Sequence, residues 1–206
     1  MPFFQSKNLV FVHVPKTAGT SIERALGMTL KWPSLDRLSL FGPYQGMQLQ
    51  HLTAMEMTTL GFVSESDFKQ SYKFAFVRNP YTRAASEYFF DKKWNKKTKN
   101  LTFIDFLKLV KDSIAKRQLI AHYRPQVDFV LDQNERLLVN FLGRFENLSE
   151  DWERLQKKLS ISNAGLPHEN HGEHSDYAEF YSDEAILLVN DIYGDDFRCF
   201  GYEIIE

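Results

Sequence analysis

A short run of small, hydroxyl-bearing and basic residues near the N-terminus has the composition of a site for a phosphorylated ligand. Lys16 supplies a mobile cation, and Gly19 removes side-chain bulk so that the backbone can approach an anion. The amides of residues 19–21 are expected to point at that anion from the start of a helix, where the helix dipole favours negative charge. Further hydroxyl donors are Thr17, Thr20 and Ser21. We therefore predict a phosphate-binding loop over residues 15–21.

Such a loop must be held between a strand and a helix, and the sequence supplies both. Residues 9–14 are a short β-branched and aromatic run, which predicts a buried strand that ends at Pro15. A second junction of this kind lies further along the chain, where residues 74–77 predict another buried strand and Pro80 suits the first turn of the next helix. Two buried strands that each lead into a helix, with long crossovers between them, predict a parallel sheet covered on both faces. Ligands bind beyond the carboxyl ends of the strands in such sheets, and both junctions fall there.

Residue spacing predicts further elements. Thr53 and Glu56 form a T-x-x-E capping signature, so a short helix is expected to begin there. Residues 31–50 are rich in Gly, Pro and Ser and are expected to be irregular. Gly194 is placed to end the last predicted helix. The remaining predictions are helices over residues 100–113, 149–159 and 182–193, a strand over 137–145 and a loop over 163–176.

The composition is that of a single domain over residues 1–206. The chain is 43% hydrophobic, which is enough to bury a sizeable core, and 206 residues make two full domains unexpected. Its 25 basic and 27 acidic residues give a net charge of -2, which argues against a strongly basic nucleic-acid-binding protein. A secretory leader and a transmembrane segment are not expected. The single cysteine, Cys199, excludes an internal disulfide, and together these features predict a cytoplasmic protein.

The glycine pattern of the loop differs from the common nucleotide-binding motifs. Because Lys16 precedes Gly19, the Walker pattern G-x-x-x-x-G-K-[ST] is absent, and so is the Rossmann pattern G-x-G-x-x-G. The run P-K-T-A-G-T-S instead resembles the 5′-phosphosulfate-binding loop of sulfotransferases, whose donor is 3′-phosphoadenosine 5′-phosphosulfate (PAPS). The second junction resembles the 3′-phosphate-binding motif of that family, with Arg78 after a strand and Ser86 on the next helix.

Further segments extend the resemblance over nearly the whole chain, to the branch that contains carbohydrate sulfotransferases and bacterial relatives. These segments are HLTAMEM, HYRPQVDFV, GRFENLSEDW and DDFRCFGYE, in the expected order. The resemblance implies an α/β, three-layer P-loop-like fold with a central parallel sheet flanked by helices. It also implies transfer of a sulfuryl group from PAPS to an acceptor hydroxyl, expected on a carbohydrate, without a metal ion.

The resemblance assigns roles to individual residues. Lys16 is expected to neutralise the bridging oxygen of the leaving phosphate, and Arg78 with Ser86 to bind the 3′-phosphate. His51 stands where the family branch carries its proposed base, and an imidazole that is largely neutral at pH 7 yet still basic suits that role. The residues expected to bind the donor are Lys16, Thr17, Ala18, Gly19, Thr20, Ser21, Arg78 and Ser86. Those expected on the acceptor side are His122, Arg124 and Gln126, of which the last two contact the acceptor or orient catalytic groups.

Other interpretations of these residues stay open. A kinase-like P-loop phosphotransferase would need the Walker lysine and a magnesium-binding carboxylate on a partner strand, and we identify neither. A non-catalytic nucleotide-binding module would keep Lys16 and Arg78 for binding but would have no need of His51. Arg83 either contacts the nucleotide or faces solvent. Glu56 is an alternative base, although its capping role is the simpler explanation.

Histidines elsewhere have simpler interpretations. His13 lies inside the first predicted strand and is expected to be packed there or to support the site. The group His168, His171 and His174 invites a metal interpretation, but Gly172 favours a loop over an H-E-x-x-H helix, so no metal site is predicted. In the related family the loop at this position closes over the nucleotide.

Overall fold

The computed structural model describes residues 3–118, 120–161, 165–166 and 177–206, which form an α/β structure. The strands are β1 (Phe3–Phe4), β2 (Leu9–Val12), β3 (Pro43–Tyr44), β4 (Met47–Gln48), β5 (Tyr72–Val77) and β6 (Phe141–Arg144). The α-helices are α1 (Gly19–Ala25), α2 (Ala54–Thr59), α3 (Glu65–Gln70), α4 (Pro80–Trp94), α5 (Phe103–Ala115), α6 (Val127–Val130), α7 (Leu148–Leu159), α8 (Asp183–Ile192) and α9 (Gly194–Phe200). The 3₁₀ helices are Gln5–Lys7, Leu49–His51, Phe145–Asn147 and Ala178–Phe180.

The main sheet has four strands in the order β1–β2–β5–β6 and is mostly parallel. β2 runs parallel to β5, with Val12 opposite Ala75, and β5 runs parallel to β6, with Val77 opposite Arg144. Among the described residues, the one antiparallel pairing in this sheet is that of the edge strand β1 with β2. The predicted parallel arrangement of the two junction strands is therefore confirmed.

Side chains on both faces of the sheet are buried, as expected for a parallel sheet. On one face Phe11 and Phe74 stack with ring centroids 4.8 Å apart and pack with Ile22 of α1 and Trp152 of α7. On the other face Val10 is completely buried. This burial explains why the strands appear in the sequence as continuous apolar runs without alternation.

The chain divides into two compact units, each made of two separate segments. The first unit comprises Met1–Val77 and Asp128–Glu169 and contains the main sheet. The second comprises Arg78–Val127 and Asn170–Glu206 and has its own apolar core, to which α4, α5, α8 and α9 contribute. The apolar residues of α4, Tyr81, Ala84, Ala85 and Tyr88, lie in that core. The single domain predicted from length stays a prediction.

Most predicted elements are present, with shifts at their ends. Thr53 and Glu56 form the predicted capping box at the start of α2, and Pro80 is the first residue of α4. The predicted strand over residues 137–145 is reduced to β6. The segment 31–50, predicted to be irregular, contains the short β3–β4 hairpin.

The prediction that the helix ended by Gly194 is the last one is wrong. α8 ends at Ile192, and Gly194 is the first residue of a further helix, α9. Tyr193 caps both helices, so the two follow each other without a loop. α9 itself ends at Phe200 and is followed by the cap residue Gly201, whose φ of +64° is the left-handed conformation that glycine adopts readily after a helix. Within the described ranges, every helix falls short of the length or the apolar character that crossing a bilayer requires.

Candidate functional site

The loop that follows β2 has a strained backbone. Lys16 and Ala18 have φ values of +68° and +66°, and this left-handed conformation costs a residue with a side chain about 1–2 kcal/mol. Thr17, between them, is completely buried, and its hydroxyl donates to the Val14 carbonyl at 2.8 Å. The Thr17 hydroxyl therefore stabilises the loop from within, and its contact with a ligand stays a prediction.

The strained loop leads directly into α1. Ile22 donates the first hydrogen bond of the helix, to the Ala18 carbonyl at 3.1 Å. The amides of residues 19–21 come before this first bond, so the α-helical pattern provides no acceptor for them, as at the start of any α-helix. Along this loop Thr20 is exposed, Lys16 and Ala18 are half-buried, and Ser21 is buried. The predicted loop is thus separated from the end of β2 by two residues, and its last three residues form the first turn of α1.

Gly19 packs against a histidine, a use that the sequence does not predict. A Cβ atom at this position would lie 1.8 Å from Nε2 of His13 and 2.0 Å from its Cδ2. The His13 ring is fixed there, because its Nδ1 lies 2.6 Å from a carboxylate oxygen of buried Glu23 and because the ring stacks on Phe11 with centroids 5.3 Å apart. The missing side chain at Gly19 therefore accommodates the imidazole of His13.

Changing Gly19 to alanine should destabilise the protein. The added methyl group would displace His13 and break its buried contact with Glu23, so we expect the free energy of unfolding to fall by about 2–5 kcal/mol in urea denaturation. Gly194→Ala is the matched control, since a Cβ atom there meets nothing within 4 Å. A loss at Gly19→Ala no larger than at Gly194→Ala would show that His13 is free to move aside.

His51, the predicted base, lies beside the start of the loop. Its Nδ1 is 3.1 Å from the backbone oxygen of His13, and the two rings meet edge to face with centroids 4.4 Å apart. A carbonyl oxygen only accepts hydrogen bonds, so Nδ1 of His51 carries the proton and Nε2 is the basic nitrogen of the neutral ring. The structure thus brings His51 together with His13, two residues before the predicted phosphate loop, in the tautomer that leaves Nε2 as the basic nitrogen.

The chain on both sides of His51 is held in place. The residue before it, Gln50, accepts the Gly42 amide at 3.1 Å through its side-chain oxygen, while the Leu49 amide donates to the Gly42 carbonyl at 2.9 Å. After it, the capping box of α2 begins at Thr53. His51 is 7% exposed and therefore has little freedom to adopt other orientations.

In the second unit, Arg78 directly follows the last residue of β5. Its Nε donates to Oγ1 of Thr82 at 3.0 Å, and the guanidinium lies 5.6 Å from the centre of the Tyr177 ring. Thr82 and half-buried Ser86 are four residues apart on α4, so they lie on one face of that helix. The two residues predicted to bind a 3′-phosphate therefore meet at one face of α4, since Ser86 lies on that face and Arg78 contacts Thr82 there. Thr82 was missed by sequence analysis, although a hydroxyl four residues before Ser86 is a readable signal.

His122 pairs with a buried carboxylate. Its Nδ1 lies 2.9 Å from Oε2 of Glu87, and its ring stacks on Phe90 with centroids 5.0 Å apart. By the geometric argument used for His51, a neutral His122 ring that donates to this carboxylate has Nε2 as its basic nitrogen. The second unit thus contains another histidine with a fixed ring, in the segment predicted to lie on the acceptor side.

The prediction that Arg83 contacts the nucleotide or faces solvent is wrong. This side chain is only 1% exposed and donates to the backbone carbonyls of His122 at 3.2 Å and of Arg124 at 2.9 Å. Its guanidinium also lies 5.4 Å from the centre of the Tyr193 ring. Arg83 therefore satisfies buried carbonyls and holds the backbone that carries His122 and Arg124, whose own side chains are half-buried.

Gln126 is completely buried. Its side-chain amide binds the backbone of Arg78 and the carboxylate of Asp196. Of the two roles predicted for Gln126, these contacts favour the orientation of another residue over contact with an acceptor.

The late histidine group falls outside the described residues, as does most of the predicted loop over 163–176. In the remainder of the chain, His, Cys, Asp and Glu side chains form no group of three or more that could hold a metal ion. The metal interpretation of His168, His171 and His174 is therefore untested.

Comparison with known proteins gives a family and one distant relative. A sequence model of the sulfotransferase family matches residues 3–203, nearly the whole chain. An uncharacterized protein of Archaeoglobus fulgidus is 33% identical over 98 residues, which are 47% of this chain and 69% of that protein. No solved structure matches the chain.

Proposed function

The chain belongs to the sulfotransferase family, and from this membership we propose that it moves a sulfuryl group from PAPS to a hydroxyl group of an acceptor, with a carbohydrate as the expected acceptor. The proposal includes a three-layer P-loop-like fold, a single functional domain, a cytoplasmic location and a reaction without a metal ion. A sulfuryl-transfer enzyme needs an anion-binding loop, a cation at the leaving oxygen and a base for the acceptor hydroxyl.

The observation that carries the proposal is the contact between His51 and the start of the phosphate loop. The Nδ1 proton of His51 is bound by the His13 carbonyl at 3.1 Å, three residues before Lys16. A histidine fixed as the Nε2-basic tautomer beside an anion-binding loop suits transfer to a hydroxyl group. A module that only binds a nucleotide does not need a basic nitrogen at this position.

The loop itself fits an anionic ligand. The backbone changes the sign of φ at Lys16, Thr17 and Ala18, and such alternation turns successive amides toward one side and creates a concave anion site. Strained conformations of this kind persist where the surroundings enforce them, commonly at ligand sites. We propose that residues 16–21 bind the 5′-phosphosulfate group of the donor through these amides, the Lys16 ammonium and the hydroxyls of Thr20 and Ser21.

Lys16 is the residue we assign to the developing charge. By analogy with phosphoryl transfer, the bond from sulfur to the bridging oxygen breaks early, and negative charge grows on that oxygen as it leaves with the phosphate. A lysine ammonium at this oxygen stabilises the transition state more than the ground state, because the charge is larger there.

His51 is the residue we assign to the proton. As the new bond forms between sulfur and the acceptor oxygen, the hydroxyl proton passes to Nε2 of His51, so the products are the sulfate ester, the adenosine bisphosphate and a protonated imidazole. The His13 carbonyl favours this outcome, because it accepts the Nδ1 proton of the imidazolium as well as that of the neutral ring.

In the second unit, we assign Arg78 and Ser86 to the 3′-phosphate. A guanidinium can bind a phosphate through two parallel hydrogen bonds, and its Nε contact with Thr82 limits the orientations it can adopt. His122 and Arg124 are assigned to the acceptor, on a segment whose backbone is held by buried Arg83.

Calorimetric titration tests the donor site. We expect 3′-phosphoadenosine 5′-phosphate, the desulfated product, to bind much more tightly than ATP, with or without magnesium. The Lys16→Asn protein should bind this bisphosphate more weakly, because the loop loses its cation. Preference for ATP in the presence of magnesium would contradict the proposal and favour a kinase-like phosphotransferase.

A further inference from the structure

The side chain of Gln126 pairs with the backbone of Arg78 as a residue on a neighbouring strand would. Its Oε1 accepts the Arg78 amide at 2.9 Å, and its Nε2 donates to the Arg78 carbonyl at 2.8 Å. Both backbone groups of a residue just beyond the end of a strand are therefore bound by one side-chain amide. This pairing fixes the φ and ψ angles from which the Arg78 side chain departs.

Asp196, 70 residues further along the chain, fixes that amide in turn. Its Oδ2 accepts the Gln126 backbone amide at 3.0 Å and the side-chain Nε2 at 3.2 Å. Its Oδ1 accepts the Val127 amide at 2.9 Å. Burial raises the pKa of Asp196 to about 6, while the nearby positive charge of Arg83 opposes the rise, so the carboxylate is largely ionised at neutral pH.

These contacts leave one favourable orientation for the Gln126 amide. Its two N–H groups are directed at acceptors, the Arg78 carbonyl and the Asp196 carboxylate. If the amide were turned over, its oxygen would face both of those oxygens, and the Arg78 amide would face an N–H group. Asp196 therefore sets which end of the Gln126 amide meets each backbone group of Arg78.

We propose that Gln126 and Asp196 are positioning residues for Arg78. They hold its backbone, and Thr82 holds its Nε, so that the guanidinium is presented to the 3′-phosphate in one orientation. All of these residues lie in the second unit. The inference rests on the proposed function, because it takes the ligand of Arg78 to be the 3′-phosphate of the donor.

The test compares two ligands that differ by that phosphate: 3′-phosphoadenosine 5′-phosphate and adenosine 5′-monophosphate. Arg78→Ala should weaken binding of the bisphosphate roughly 10- to 100-fold and leave the monophosphate nearly unchanged, since a hydrogen bond to a charged group is worth that much. Gln126→Glu should have the same selective effect, because an oxygen of the new carboxylate would replace Nε2 and would face two acceptors, the Arg78 carbonyl and the Asp196 carboxylate. In the Arg78→Ala background, Gln126→Glu should add nothing, since its effect acts through Arg78.

Gln156→Glu is the control, because it makes the same change at another buried glutamine, in α7 of the first unit. If Gln126→Glu binds the bisphosphate like the unaltered protein while Arg78→Ala does not, the positioning role is refuted and the proposed function stands. If Arg78→Ala itself has no selective effect, the 3′-phosphate assignment fails and the inference fails with it.

A second measurement covers the case in which Gln126→Glu does not fold. NMR should show that the Arg78 backbone amide is protected from hydrogen exchange in the unaltered protein. This protection should be lost in Gln126→Met, because methionine has a similar length but lacks the side-chain amide. Rapid exchange of the Arg78 amide in the unaltered protein would overturn the proposal without any variant.

Discussion

Replacing His51 with alanine should lower kcat for sulfuryl transfer by roughly 10²- to 10⁴-fold, the usual contribution of a well-placed general base. Affinity for 3′-phosphoadenosine 5′-phosphate should stay nearly the same, because the base acts on the acceptor hydroxyl and not on the nucleotide. Steady-state rates with a hydroxyl acceptor and calorimetry with the bisphosphate measure the two quantities separately. Added imidazole should restore part of the lost rate.

Two further variants separate the base from its structural surroundings. His51→Asn keeps an N–H donor for the His13 carbonyl but has no basic nitrogen, so it should lose as much activity as His51→Ala. Glu56→Gln removes the alternative carboxylate base and preserves the capping box, because glutamine serves in that position as well as glutamate does. Activity retained by His51→Asn but lost by Glu56→Gln would transfer the assignment of the base to Glu56.

Replacing Lys16 with asparagine should lower kcat by roughly 10²- to 10³-fold, as the removal of other groups that stabilise transition-state charge does. Asparagine is the informative replacement, because Lys16 has a φ of +68° and asparagine tolerates the left-handed conformation better than most residues. The loop should therefore keep its shape while it loses the charge. Rates at saturating donor measure the effect on the transition state directly.

The matched control for Lys16 is Lys31→Asn, which removes the same charge from an exposed position. It should leave kcat within about twofold, since an exposed charge is screened by solvent and salt. A loss at Lys16→Asn confined to KM, with kcat unchanged, would mean that Lys16 binds donor and transition state equally well, and its assignment to the leaving oxygen would be wrong.

Local features of the fold were predictable because they depend on neighbouring residues. The capping box of α2 needs only Thr53 and Glu56, and the start of α4 follows from Pro80. The burial of β2 and β5 follows from their apolar runs. The junction of β2, its following loop and α1 was likewise predictable, since its residues are contiguous.

Contacts between distant residues were not predictable from one sequence. Nothing near Gln126 in the chain points to Asp196, and nothing near His13 marks Glu23 as its partner. Arg83 was expected to contact the nucleotide or to face solvent, but the buried carbonyls that it binds come from residues about 40 positions away. α9 was missed because glycine is more typical after a helix than at its first residue.

The interleaving of the two units limits how early in synthesis each of them can be completed. In the first unit the Lys73 amide binds the Asn140 side chain 67 residues later, and in the second the Val127 amide binds Asp196 69 residues later. Contacts across such spans require the closure of long loops, and this closure slows folding. During synthesis the first unit cannot complete its sheet until β6 has emerged, and the second cannot complete its core until α9 has. A single cut in the chain therefore cannot yield two fragments that each contain a whole unit.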